Sequence, residues 1–276
     1  MMDVGEPDLA ALGVSGPLQG AGALALYWTL GPAIRSMGRV FGEWTDYRLR
    51  NLLLLGDKVS NRISKDYRPD GQTVNPRVAK LLIDEASWIE DDLHQEYLAG
   101  LLISSRSPDG TSDDGAYFAR IVAGLSASQV RLHFGIYNSY YGTNTVENVK
   151  HNFNGGIEDR HALAVWAPRQ SYLDVASGLA EQDQESAFAA GVHGLEREGL
   201  VEQCAPPTQG HDDVVTIPSL LGALIFHRAL GYTAPGIDAI RSDRAQLARI
   251  DPNYTFAELT PEPLSLSSSR ISPSGV

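Results

Sequence analysis

The densest group of side chains that could carry acid–base or metal chemistry lies between residues 84 and 96. It consists of carboxylates and one imidazole, namely Asp84, Glu85, Glu90, Asp91, Asp92, His94 and Glu96. Glu90 lies four residues before His94, and Asp91 lies three residues before it. On a continuous helix each of these carboxylates could lie on the same helix face as His94, as pairs of metal ligands do. A closed site needs further ligands, which the sequence does not locate. Glu90, Asp91 and His94 are the candidates for catalysis in this group, and we predict no metal ion or other cofactor.

A basic stretch before this acidic group offers a structural explanation for it. Residues 35–68 contain eight basic side chains and four acidic ones. Buried carboxylates need a partner, and the arginine guanidinium can pair with a carboxylate through two hydrogen bonds. We therefore predict that the acidic segment Glu90-Asp91-Asp92 forms ion pairs with a preceding basic helix. The basic side chains of that helix are Arg48, Arg50, Lys58 and Arg62.

Two smaller groups lie in the C-terminal half of the chain. His211, Asp212 and Asp213 could approach a cation, but they belong to a predicted turn, where aspartate is favoured for backbone reasons. Cys204 lies near His211 in the sequence and suggests a Cys-His nucleophile, although lone cysteines are more often buried and inert. Neither a G-x-S-x-G motif nor a glycine-rich phosphate motif occurs. The sequence therefore favours a protein without catalytic activity.

The composition restricts the compartment and the partners. The 276 residues carry 34 acidic and 22 basic side chains, a formal net charge of −12, which would repel a phosphate backbone. The single cysteine cannot form an internal disulfide, as is usual in a reducing cytosol. Asp3, Glu6 and Asp8 stand where a secretory signal would be positively charged. We therefore predict a cytoplasmic protein that does not bind DNA.

The most apolar stretch, residues 21–34, is followed by two arginines. A membrane-spanning helix needs about 20 apolar residues, so this stretch is too short to cross a bilayer. It is either a helix that packs in the core or against a partner, or an amphipathic helix on a membrane surface. The residues that would make those contacts are Leu24, Trp28, Ile34, Arg35, Met37 and Arg39.

Hydrophobic periodicity predicts a mainly α protein, with an N-terminal helical bundle followed by a small α+β winged-helix-like unit. We predict a helix or a bent pair of helices over Pro76–Ser104. The predicted segments are a flexible lead-in at 1–20, a helical domain at 21–137, a linker or long loop at 138–160, the α+β unit at 161–260 and a disordered tail at 261–276.

The winged-helix prediction depends on element order in the C-terminal unit. A helix at 185–198 precedes two short strands at 200–204 and 214–217, and a further helix follows at 219–230. Between Glu181 and Asp213 there are eight acidic residues and one basic residue, which would repel DNA. We therefore predict that this unit contacts protein.

Several motifs follow one another between residues 40 and 137. W-T-D-Y-R-L-R-N-L occupies 44–52, L-L-I-D-E-A-S-W-I-E-D-D occupies 81–92, and L-H-Q-E-Y-L-A-G-L-L follows at 93–102. In this order and spacing the chain resembles the Abi-alpha (abortive infection alpha) family of bacterial and phage-encoded proteins. It departs from the family pattern in two places: Trp88-Ile89 lies between Ala86-Ser87 and Glu90, and Tyr97 stands where the resemblance leads us to expect tryptophan.

The resemblance implies a role in defence against phage in the bacterial cytosol, and it supplies no catalytic residues. We therefore expect a defence-associated protein, without catalytic activity, that acts through contacts with a protein partner or a second copy of itself. One alternative is a membrane-acting effector that uses residues 24–39 for peripheral membrane contact. Another is a metal-dependent hydrolase at Glu90, Asp91 and His94.

Overall fold

The computed structural model describes residues 46–62, 72–143, 153, 163–176, 184–205 and 213–232. The proposed contact residues Leu24, Trp28, Ile34, Arg35, Met37 and Arg39 lie outside these ranges, as do His211 and Asp212. Within them the protein is mainly helical, with eight helices and two small antiparallel sheets. The described residues form two compact units that divide between Ala123 and Gly124, and residues 229–232 belong to the first.

The first unit contains four of these helices and a two-stranded ribbon. The helices are α1 (Asp46–Arg62), α2 (Pro76–Ala86), α3 (Asp92–Ser104) and α4 (Gly115–Ala123). Strands β1 (Thr73–Val74) and β2 (Arg106–Ser107) pair antiparallel. The core of this unit is mainly aliphatic, with Tyr97 as a buried aromatic residue. Its buried aliphatic side chains include Leu52, Leu55, Val59, Leu82, Ile83, Leu98, Leu101 and Leu102.

The predicted segment Pro76–Ser104 forms two helices because each has its own N-terminal cap. Asn75 accepts a hydrogen bond from the backbone N–H of Arg77 at 2.9 Å, and Pro76 occupies the first turn of α2. Asp91 has an extended backbone, and its carboxylate accepts from the N–H of His94 at 2.9 Å, which starts α3. Glu90 and Asp91 therefore precede α3, and the prediction that they share a helix face with His94 is wrong.

The second unit contains four helices and a three-stranded antiparallel sheet among its described residues. The helices are α5 (Ala127–Thr143), α6 (Arg169–Ala176), α7 (Gln184–Arg197) and α8 (Leu220–Ala229, whose last residue belongs to the first unit). The strands are β3 (Val165–Pro168), β4 (Val201–Ala205) and β5 (Asp213–Pro218). The sheet order is β3-β5-β4, so β5 is the central strand.

The hydroxyl of Tyr137 joins three elements of the second unit. It donates to the carbonyl oxygen of Leu200 at 2.6 Å and accepts from the N–H of Ser219 at 2.9 Å. Gly222 packs directly against this hydroxyl, and a Cβ at that position would overlap with it. The start of α8 can therefore approach α5 closely only because residue 222 is glycine.

Helix α5 differs from its prediction. It continues to Thr143, through the first six residues of the predicted linker at 138–160, and it belongs to the second unit, not to the predicted helical domain at 21–137. The physical reason is that polar and aromatic residues serve as core residues here: Asn138, Ser139, Tyr140 and Tyr141 are all buried. Of the helices described, none combines the length and the apolar character required to span a bilayer.

Candidate functional site

The connection between α2 and α3, residues 87–91, is held in place by side chains from α1. Arg48 donates from Nε to the hydroxyl oxygen of Ser87 at 2.9 Å, and Asn51 donates to the Ser87 carbonyl at 3.0 Å. The hydroxyl of Tyr47 donates to the carbonyl of Trp88 at 3.1 Å. These bonds satisfy groups that the end of α2 leaves without a helical partner.

Gln95 holds the same connection from the side of α3. Its amide nitrogen donates to the carbonyls of Ala86 and Ile89, at 2.6 and 2.7 Å. The side chain is fully buried, and among the described residues its Oε1 atom has no hydrogen-bond partner. An unsatisfied buried acceptor costs stability. The two hydrogen bonds that Gln95 donates offset this cost and fix the connection to α3.

Trp88 lies at the tip of this connection and is 59% exposed. The guanidinium carbon of Arg48 lies 4.5 Å from the centroid of its indole ring, a cation–π contact. Arg48 is itself oriented by an ion pair with Asp84 at 3.0 Å. Arg48 therefore holds the indole from one face, and Tyr47 holds the backbone of the same residue. Much of the surface of Trp88 is exposed to solvent.

An ion-pair network lies farther along α1. Lys58 Nζ lies 2.9 Å from a carboxylate oxygen of Asp92 and 3.0 Å from one of Glu96. Arg62 pairs with the other oxygen of Glu96 and also donates to the carbonyl of Ala229 at 2.9 Å. The side chains of Lys58, Arg62 and Glu96 are largely buried. Solvent therefore screens these charges less than it would on an open surface.

The predicted ion-pair residues are only partly those that the structure brings together. Asp92 pairs with Lys58, as predicted, whereas Asp91 caps α3. Glu90 is exposed, and it forms none of the ion pairs found among the described residues. Of the arginines, Arg48 pairs with Asp84 and Arg62 with Glu96, whereas Arg50 is exposed and takes no part in these pairs. Sequence reasoning missed Glu96 as a main partner. Its position one helical turn after Asp92, hence on the same face, was the available signal.

His94 is a buried structural residue. Its Nε2 atom lies 3.0 Å from the carbonyl oxygen of Val122, which fits a neutral imidazole that donates to a carbonyl. Burial lowers the pKa of His94, against the opposing effects of the Val122 carbonyl and the charge of Asp91. In the part of the chain that the structure describes, no three His, Cys, Asp or Glu side chains are grouped to hold a metal ion.

Cys204 has the properties of an inert thiol. Burial, followed by the negative charge of Glu196, raises its pKa to about 12, so the thiol stays protonated at neutral pH. A nucleophilic cysteine needs the opposite shift. The Glu196 carboxylate instead accepts from the backbone N–H of Cys204 at 2.6 Å. The environment of Cys204 therefore argues against the Cys-His nucleophile that was considered as an alternative.

The buried histidines of the second unit are also bonded to neutral groups. His133 lies 3.2 Å from the carbonyl of Gly222, and burial lowers its pKa to about 3. His227 lies 3.0 Å from the hydroxyl of Tyr141, and burial lowers its pKa to about 4. Both imidazoles are therefore neutral at pH 7 and serve the packing of the core.

Comparison with known proteins gives no relative. The chain matches no family model, no curated protein and no solved structure.

Proposed function

We propose that this protein acts by binding another protein, without catalysing a reaction, and that Trp88 is the centre of the binding surface. The observation that carries the proposal is an indole that is 59% exposed at a fixed position. Tryptophan is among the residues that contribute most to protein–protein binding, because it buries a large apolar area. A side chain that is already held costs little entropy to immobilise on binding.

Tyr47 adds aromatic surface to the same place. Its ring is 38% exposed, and its hydroxyl is bonded to the backbone of Trp88. Together with the Arg48 side chain, Tyr47 and Trp88 form what we call the aromatic tip. The supporting bonds from Asn51 and Gln95 keep the tip in place, as a preformed contact surface requires.

We also propose that the first unit is a helical bundle and that the second is winged-helix-like. The second proposal is supported by the order α5-β3-α6-α7-β4-β5 and by the sheet order β3-β5-β4. In such a unit α7 would be the exposed contact helix. Glu196, Glu198 and Glu202 lie at its end and in the following strand, and Arg197 pairs with Glu198 at 3.1 Å. This charge favours contact with protein rather than DNA.

The biological setting that we propose is defence against phage in the bacterial cytoplasm. Its support is the resemblance of residues 40–137 to the Abi-alpha family, with Trp88 inside the motif at 81–92. In this proposal the aromatic tip binds the protein partner through which an abortive-infection response acts. The ion pairs around Glu96 stabilise the unit that carries the tip and take no part in chemistry.

The test compares Trp88→Ala with Tyr117→Ala in bacteria that carry the gene and are challenged with a panel of phages. Tyr117 is a matched control because it is 56% exposed in the same unit, on α4. We expect Trp88→Ala to lose protection, measured as plaquing efficiency, and Tyr117→Ala to keep it. Full protection by a folded Trp88→Ala protein would contradict the proposal.

A further inference from the structure

The indole of Trp88 already binds one cation within the molecule. The guanidinium of Arg48 lies over one face of the ring, 4.5 Å from its centroid, and Asp84 and Ser87 orient it. Because Arg48 covers one face and the residue is still 59% exposed, we infer that the opposite face of the ring is open. That second face has the same electron-rich character as the first and can accept a second cation.

The charges near the aromatic tip favour such a cation. The nine residues 84–92 carry five carboxylates and no basic side chain. Arg48 neutralises Asp84, Lys58 pairs with Asp92, and Asp91 caps α3. Glu85 and Glu90, three residues before Trp88 and two after it, enter none of the ion pairs that the described residues form.

The state of Glu85 agrees with this local excess of negative charge. Its side chain is half-buried, and partial burial together with the charge of Asp84 raises its pKa. A positive charge placed beside it would oppose the effect of Asp84 and favour the charged carboxylate. The whole chain has a formal net charge of −12, which attracts a basic partner and disfavours a second copy of the same chain.

We propose that the open face of Trp88 binds an arginine side chain from a basic segment of the partner protein, and that Glu85 and Glu90 supply the surrounding negative charge. This inference rests on the proposed function, because it names the chemistry of the partner at the same surface. Arginine is preferred over lysine because its planar guanidinium stacks on an aromatic ring, as Arg48 does on the other face.

The test uses the full chain labelled with 5-fluorotryptophan and a short glycine–serine peptide that carries three arginines. Matched peptides carry three leucines or three glutamates in place of the arginines. The fluorine resonance of Trp88 is assigned as the one that is missing in Trp88→Phe. We expect the arginine peptide to move this resonance, the glutamate peptide to leave it in place and the leucine peptide to have a much smaller effect.

Variants of the full chain test how much each side chain contributes to the affinity for the arginine peptide. Binding to the variants is followed by calorimetry, because Trp88→Ala lacks the reporting resonance. Trp88→Ala should weaken binding of the arginine peptide about two- to fivefold, because an exposed cation–π contact is lost. The double variant Glu85→Gln and Glu90→Gln should weaken it about threefold, with a smaller dependence on salt. Trp166→Ala, which removes an exposed tryptophan of the second unit, should leave it unchanged.

Three results would overturn the inference. The first is no movement of the Trp88 resonance with the arginine peptide at millimolar concentration. The second is an equal response to the leucine peptide, which would make the surface an apolar docking site. The third is a shift that depends on protein concentration without peptide, which would make a second copy the occupant. If Trp88→Ala still abolishes phage protection in any of these cases, the protein-binding function stands and only the cationic partner is wrong.

Discussion

In the first unit Lys58, Arg62 and Glu96 are largely buried as charged groups, beside the neutral Tyr97 and His94, whereas buried tyrosines and histidines described in the second unit are bonded to neutral groups. In the first, each charge has an opposite charge within hydrogen-bond distance. In the second, Tyr137 and His133 are bonded to backbone groups. The first unit therefore depends for its stability on buried ion pairs, whereas the second depends on neutral hydrogen bonds to buried tyrosines and histidines.

The largest effect is expected from Glu96→Gln in the first unit. This change leaves Lys58 and Arg62 largely buried without the carboxylate that both contact. We expect the free energy of unfolding to fall by about 3 kcal/mol in urea titrations, because the variant loses two largely buried ion pairs at once, although Lys58 keeps its contact with Asp92. The control is Asp92→Asn, at a more exposed carboxylate that pairs with Lys58 alone among the described contacts, and it should cost less than about 1 kcal/mol. Equal losses for the two variants would contradict the buried-charge account.

A smaller effect is expected from Tyr137→Phe in the second unit. The change keeps the ring but leaves the N–H of Ser219 and the carbonyl of Leu200 without the hydroxyl that they contact. We expect a loss of about 2 kcal/mol in the same urea titrations, because buried polar groups lose a partner. Tyr117→Phe, at an exposed tyrosine, should change stability by less than about 0.5 kcal/mol. If the two variants behave alike, the hydroxyl of Tyr137 is not a structural centre.

The smallest effect is the share of the pH dependence that His227 contributes in the second unit. The pKa of His227 falls from an ordinary 6.5 to about 4 on folding, so below pH 6.5 the unfolded chain binds a proton that the folded chain does not. Its contribution to stability is therefore complete above pH 6.5 and is lost as the pH falls toward 4. Between pH 7 and 5.5 we expect His227 to account for a loss of about 1 kcal/mol. The dependence should shrink by that amount in His227→Gln, and an unchanged slope would contradict the assignment.

The sequence predicted those elements whose boundaries are marked by local signals. Asn75-Pro76 marked the start of α2, and the two β-compatible runs of the second unit were found as β4 and β5 within one residue of their predicted ends. Strand β3 and helix α6 were missed because each is short, and neither shows a sustained period. Helix α5 was ended too early because its last turns are polar and aromatic.

The candidate site was only partly predictable. The sequence indicated a basic helix opposite an acidic segment, but it could not tell which carboxylates face α1, since that depends on where α3 begins. The cap at Asp91 fixes that start and points Asp92 and Glu96 toward Lys58. The exposure of Trp88 was not predictable either, because a tryptophan beside apolar residues such as Ile89 is usually largely buried. The resemblance to the Abi-alpha family stays a prediction.

The most direct test of the central claim measures stability and phage protection together for Trp88→Ala and Tyr117→Ala. If Trp88 is a contact residue, its removal costs about 1 kcal/mol of stability or less, through the lost contact with Arg48, yet abolishes protection. Tyr117→Ala should keep both properties. A folded Trp88→Ala protein that protects as well as the unaltered chain would show that the aromatic tip is not the binding surface.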